Sequence, residues 1–377
     1  MGQLRISLRR KNSSTVPSIS QVMNNTKRRL FDRNDTYSLR GLCMICIILH
    51  HLYQYLSSRY GITFPVPLVI ILSNIGYLAT GVFFMISGFG LFASLEKNSP
   101  INWRYIARHL LNLYLPFLFV CIIQAIIDIC QGGFDIKNGL ASLLLMKDFW
   151  FMRTIFLLYI SVFLLYKFVI STRIRIAILS SGVLTYILLS AFVFRIYPFW
   201  WNSILCFPVG MYCAFKSDSL QRLNTTRNRI SILIVFIFTF CFTIFCNSSY
   251  CPRIIGEAIY PISMVLSSIS FALFSIHFVS LVKVSNKVFN YFGTNSLSFY
   301  LYHIVFLKLC LFDNSYTYFI SVWIGAIILV SIYRLIDKVW LSKLSSSLLS
   351  GGGKSAWRFW IRVLENTLQR DQRNVFV

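Results

Sequence analysis

The sequence predicts an all-α, polytopic membrane protein of about ten transmembrane helices with both termini in the cytoplasm. Three observations predict it. Apolar runs of about 20 residues recur from end to end, each long enough to cross the hydrocarbon layer as a helix. The chain of 377 residues is 56% hydrophobic and 17% aromatic, with a mean hydropathy of +0.67, and nothing outside the runs is large enough to build a separate core. The basic residues, finally, collect in alternate loops.

Residues 1–36 are polar and basic, carrying Arg5, Arg9, Arg10, Lys11, Lys27, Arg28, Arg29 and Arg33 without an apolar core of the signal-peptide type. They read as a disordered cytoplasmic tail lying against lipid. A membrane domain over 37–341 follows. Its first helix covers Tyr37–Leu56, and further helices are expected near 68–95, 106–130, 149–169, 175–195, 200–216, 230–247, 255–282, 288–311 and 316–340. Residues 342–377 begin with a Gly/Ser break and continue as a basic amphipathic segment, which suits the inner membrane surface.

With the N-terminus inside, all but seven of the 36 basic residues fall on the cytoplasmic side. Arg59, Lys137, Lys147, Arg195, Arg253 and Lys308 fall outside, and Arg153 lies within a helix. Such asymmetry sets orientation in membrane proteins. It also accounts for the net charge of +24 through contact with anionic lipid, so no nucleic-acid partner is expected. Most of the ten cysteines lie in apolar runs, where a thiol behaves as a small hydrophobe. None has zinc-ligand spacing, and no metal is expected. Cys246 and Cys251 flank an expected outer loop, where a disulfide is one reading and two thiols the other.

The first helix, YSLRGLCMICIILHHLYQYL, carries the chemistry. Ionisable side chains within a membrane helix mark functional sites by default. The 11 steps from Arg40 to His51 make almost three turns, so the two share a face about 16 Å apart along the axis, whereas His50 is rotated away by about 100°. Orientation puts Arg40 at the cytoplasmic edge and His51 deep in the bilayer. An acyl-coenzyme A has a matching shape, with an anionic nucleotide at one end and a thin arm ending in a thioester. Arginine's planar fork suits phosphate, and a neutral imidazole suits deprotonation of a hydroxyl. The bland alternatives are a positive-inside anchor for Arg40 and a helix-packing hydrogen bond for the histidines.

Further along, Gly81, Gly88 and Gly90 form a small-residue face beside Ser87. The face serves close packing, or leaves room for the donor's arm with Ser87 bonding to it. Arg104 and Arg108 are basic candidates for the donor's phosphates. His50, Trp150, Arg153 and His303 are candidates for the acceptor side or the wall of the site. Arg153 reads equally as a snorkelling side chain, and His303 as a satisfied structural histidine.

Several short motifs recur in order: Leu39-Arg40-Gly41 with His51, Gly81-Val82-Phe83-Phe84-Met85-Ile86-Ser87-Gly88-Phe89, Trp150-Phe151, Phe207-Pro208 with Gly210, and Ser298-Phe299-Tyr300-Leu301-Tyr302-His303. Across about residues 36–340 the chain resembles the integral-membrane acyltransferase family 3, bacterial enzymes that acylate cell-surface carbohydrates and some other acceptors. The resemblance implies that Arg40 and His51 are essential for acyl transfer. It implies acyl-CoA, with acetyl-CoA the favoured form, as co-substrate without a bound cofactor. It also implies a carbohydrate or lipid-linked glycan acceptor and a place in the bacterial inner membrane among its lipids. One departure stands out. Members often have a second basic residue before a proline in the segment after helix two, and this chain reads Arg108-His109-Leu110-Leu111-Asn112 before Pro116.

Two other classes make different demands. A non-enzymatic carbohydrate or lipid translocator predicts interrupted helices in both halves with repeat symmetry, and no such repeat is visible. A polysaccharide polymerase or ligase would place arginines in a large outer loop, and the outer loops here are short. Cysteines introduced at Asn12 and Asn374 are expected to be labelled from the cytoplasmic side only. Labelling of either in intact cells by an impermeant outside reagent overturns the orientation.

Overall fold

The structure, a computed structural model, describes residues 33–97, 103–145, 149–222, 225–281, 286–309 and 313–338. Among them there is no strand. The helices in chain order are α1 (Arg33–Tyr60), α2 (Val66–Lys97), α3 (Trp103–Cys130), α4 (Ile136–Leu145), α5 (Trp150–Phe168), α6 (Thr172–Leu188), α7 (Cys206–Phe215), α8 (Ser217–Arg222), α9 (Thr226–Cys246), α10 (Arg253–Leu281), α11 (Lys287–Thr294), α12 (Ser296–Leu309) and α13 (Ser315–Ile336). Eight of the described helices are long and apolar enough to cross a bilayer: α1, α2, α3, α5, α6 with its π-helical extension to Val193, α9, α10 and α13.

Each expected helix has a counterpart, with three differences. The expected sixth helix, 200–216, is a series of turns running into α7, which has 10 residues. At about 1.5 Å per residue α7 alone spans about 15 Å, half a hydrocarbon core. The expected ninth helix, 288–311, is broken. Asn286 opens α11 by accepting the Phe289 N–H at 2.7 Å, the helix stops at Asn295, and α12 restarts at Ser296. The third difference is a pair of short helices, α4 and α8, within expected loops. The basic tail assigned to 1–36 lies outside the described residues except for 33–36, which form the first turn of α1. The tail assigned to 342–377 lies wholly outside them.

Small residues set the packing. A Cβ on Gly41 of α1 would overlap the Phe289 carbonyl oxygen of α11, and a Cβ on Gly293 of α11 would overlap the Tyr37 carbonyl of α1. The two backbones therefore touch at a reciprocal glycine contact, as small residues permit where no hydrophobic force drives helix association. Ser38 Oγ ties the same pair by donating to Asn290 Oδ1 at 2.6 Å. Gly88 of α2 and Gly210 of α7 repeat the device, facing the carbonyls of Phe207 and Met85. On the other flank, α9 and α10 are laced by hydroxyls, with Thr239 and Ser270 at 2.9 Å and Thr243 and Ser267 at 3.2 Å.

Large apolar side chains fill the interior, Phe84, Phe117, Phe207, Phe299 and Tyr302 among them. Ile, Leu and Phe side chains on the outer faces of α6, α9, α10 and α13 stay exposed, as lipid-facing surface requires. Cys246 and Cys251 are both free and buried, and their thiols lie within hydrogen-bonding reach of each other.

The glycine contact has a measurable consequence. Gly41→Ala and Gly293→Ala should each destabilise the detergent-solubilised protein by about 1–3 kcal/mol, the usual cost of overpacking, and lower its Tm. Gly90 has open space around its Cβ position, so Gly90→Ala should leave the Tm unchanged or slightly raised.

Candidate active site

Arg40 heads a cavity of about 800 Å³ enclosed by α1, α2, α3, α5, α12 and α13. Arg40, Ser87, Asn112, Tyr159, Asn295 and Arg334 lie toward one end, and Ile47, Thr80, Pro116, Phe151 and Tyr300 toward the other. On α1 the wall runs seven residues from Arg40 to Ile47, about 10 Å of helix. Arg40 is half-buried and shares the cavity lining with Tyr159 and Ser87. Two breaks in helical bonding open polar backbone to this space. Pro116 has no N–H to give to the Asn112 carbonyl one turn earlier. The stop at Asn295 turns the first residues of α12, Ser296 to Ser298, into the wall, and a helix's first N–H groups lack intrahelical acceptors.

Both breaks were readable as punctuation but not as a site. Gly293-Thr294-Asn295-Ser296 is a breaker sequence, and Pro116 was visible in the middle of an apolar run. Tyr159, Tyr300, Asn112 and Asn295 carried no sequence signal, because each belongs to a residue type spread along the chain.

His51 stands one turn beyond Ile47. Its ring centroid lies 5.4 Å from that of His303 on α12 and 5.2 Å from that of His50. Hydrogen bonding decides each tautomer, since a carbonyl oxygen only accepts. His303 Nδ1–H donates to the Phe299 carbonyl at 2.8 Å, which leaves Nε2 as the acceptor. That Nε2 is buried without a hydrogen-bond partner among the described residues. A buried polar atom of this kind requires an explanation in the site's chemistry. His51 Nδ1 faces Gln54 Oε1 at 3.2 Å, and with Nδ1 as the donor in that contact Nε2 carries the lone pair. Tyr300 separates the cavity from this pair: it lines the cavity, and its ring lies 6.1 Å from His303.

His50 has different surroundings. Its Nδ1–H donates to the Leu72 carbonyl at 2.7 Å, and its ring fills the space over Gly76, where a Cβ would collide with it. It bolts α1 to α2. Trp150 packs among Phe84, Phe151, Phe199 and Trp200. Arg153 lies 4.3 Å from the Trp200 ring centroid and lines a separate groove with Leu157, Ser161 and Tyr186. Gly81 and Gly88 face Ser268 and Phe207, so packing accounts for both, while Ser87 between them reaches the cavity. Arg108 is exposed and outside the cavity wall. The Arg104 side chain lies outside the described residues.

The histidines therefore separate by experiment. His51→Ala should abolish the activity of a protein that still folds. His50→Ala should lower the Tm, through the loss of a buried hydrogen bond of about 1 kcal/mol and of packing, while keeping much of the activity. An active His51→Ala beside a folded but inactive His50→Ala reverses the assignment.

No curated protein and no solved structure matches the chain. The acyltransferase domain family matches residues 38–336, a span that begins two residues before Arg40, takes in both site histidines and all of the cavity lining except Asp337 and Lys338, and ends on α13. With most of its length inside that match, the chain belongs to the integral-membrane acyltransferase family 3.

Proposed function

We propose that this membrane acyltransferase moves an acyl group, acetyl in the simplest case, from cytoplasmic acyl-CoA to a hydroxyl of a cell-surface carbohydrate. The acceptor would be an O-antigen, capsule or exopolysaccharide unit, or a lipid-linked glycan, and the setting the bacterial inner membrane with both termini in the cytoplasm. The observation that carries the reading is the alignment of parts. A cavity with a cationic end and a polar backbone wall stops one helical turn short of two neighbouring imidazoles, and the Nε2 of one of them, His303, is buried without a partner among the described residues.

The chemistry follows from that order. The donor's phosphates bind at the Arg40 end, where a guanidinium gives paired charge-assisted bonds. Its arm runs past Ser87 and Thr80, and the thioester reaches His51 past Tyr300. His51 Nε2 takes the proton from the acceptor hydroxyl as the oxygen bonds to the thioester carbon. The C–S bond then breaks, and the imidazolium returns the proton to the leaving thiolate. His303, its ring centroid 5.4 Å from that of His51, would accept a hydrogen bond from the imidazolium while that proton is held. Burial in a low-dielectric interior makes such a bond stronger than in water.

Incubation of the purified protein with radiolabelled acetyl-CoA and surface glycans should move label into the glycan. Label that stays wholly in the donor removes the reading. Arg40→Lys separates clamp from anchor. Lysine keeps the charge but loses the fork, and a charge-assisted bond is worth on the order of 1.5–3 kcal/mol. The variant should insert normally and be roughly ten- to a hundredfold less efficient at low donor concentration, mainly through a raised donor KM. Wild-type kinetics would leave Arg40 as a topology signal.

A further inference from the structure

We infer that Arg334, on the last turn of α13, and Lys338, two residues beyond its end, form a second phosphate subsite, one that recognises the 3′-phosphate of the coenzyme A donor. The inference rests on the donor reading above and adds to it residues that no motif indicated.

The cavity's mouth shows the geometry. Arg334, Asp337 and Lys338 line the same 800 Å³ space as Arg40. Residues four apart share one face of a helix, about 6 Å from each other, so the two cations converge. The Arg334 guanidinium lies 5.8 Å from the Tyr291 ring centroid. Tyr291 belongs to α11, which the Gly41–Gly293 contact holds against α1 beside Arg40. The arrangement thus places a pair of exposed cations in the lining of the same cavity as one half-buried arginine. With three cations against the Asp337 carboxylate, the mouth keeps a positive excess.

Coenzyme A carries its phosphates in two separate places, a diphosphate next to the pantetheine arm and a monoester on the ribose 3′ oxygen. The half-buried Arg40 lies beside the path of the arm, past Ser87, and suits the diphosphate. The exposed pair lies farther from the arm and suits the dianionic monoester, which an arginine fork and a lysine point charge neutralise together. Asp337 accepts and does not donate, so it suits a hydrogen-bond donor such as the adenine amino group. The competing account treats Arg334 and Lys338 as positive-inside anchors. It explains their charge and leaves unexplained why both line the cavity that contains Arg40.

Binding of coenzyme A and of 3′-dephospho-coenzyme A to the purified full chain tests the inference. Wild-type protein should bind coenzyme A roughly ten- to a hundredfold more tightly than the dephospho form, the worth of a charge-assisted bond. Arg334→Gln with Lys338→Gln should bind both ligands alike, near the wild-type affinity for the dephospho form. Arg40→Gln should weaken both by a similar factor and keep their ratio. Equal wild-type affinities, or a double variant that keeps the wild-type ratio, overturn the subsite and leave the donor reading standing. The comparison of the two ligands on wild-type protein decides the matter even where the double variant fails to fold. Failure of the wild type to bind either ligand overturns the donor reading, and the subsite with it.

Discussion

The contact between Gly41 and Gly293 is the constraint on which the site depends. Two backbones meet there with no side chain between them, each glycine facing the other helix's carbonyl. The approach brings the end of α11, and so the break at Asn295, next to Arg40. It also sets Tyr291 where Arg334 rests, and it starts α12 at the level that carries His303 to His51 eleven residues beyond Arg40. In a lipid environment apolar residues gain little by leaving the solvent for each other, so close packing and polar ties decide which helices meet. Here glycine supplies the packing, and Ser38 with Asn290 supplies the tie.

Around that crossing, polar groups divide into those with partners and those without. His50 is bound to Leu72 and packed over Gly76, and Tyr302 donates to the Pro116 carbonyl at 3.3 Å. These groups hold helices together. The Nε2 of His303 has no such use. An unsatisfied group in the interior costs more than the average hydrogen bond contributes. Its retention beside an apolar core as tightly filled as this one is intelligible when a reactant supplies the missing partner.

The cationic residues divide the same way. A charge at the end of an apolar helix serves orientation wherever it lies within reach of the cytoplasmic surface. Arg40, Arg334 and Lys338 lie near ends of apolar helices, where the proposed orientation puts the cytoplasm, and all three also line one cavity. The two roles do not compete, because topology depends on the side of the membrane and recognition on the direction in which the side chain faces.

Periodicity and charge alone determined the all-helical membrane architecture, the order of its helices and the common face of Arg40 and His51. These are properties of a helix taken singly: hydrophobic length sets the span, and 3.6 residues per turn set the face. They also separated His50 from His51, by a rotation of about 100°. Tertiary structure alone decided which residues of different helices converge. His303 could be recognised as a histidine within a helix, but its pairing with His51 needs α1 and α12 side by side. Arg334 and Lys338 read as two more charges in a basic chain until the fold put them in the lining of the same cavity as Arg40. The break at Asn295 was written in Gly293, Asn295 and Ser296, yet an apolar run on either side let the segment pass for one helix. The physical reason is common to all of them. A sequence pattern repeats along one axis, whereas a site is built where several axes cross, and in this protein the crossing is set by where glycine lets backbones touch.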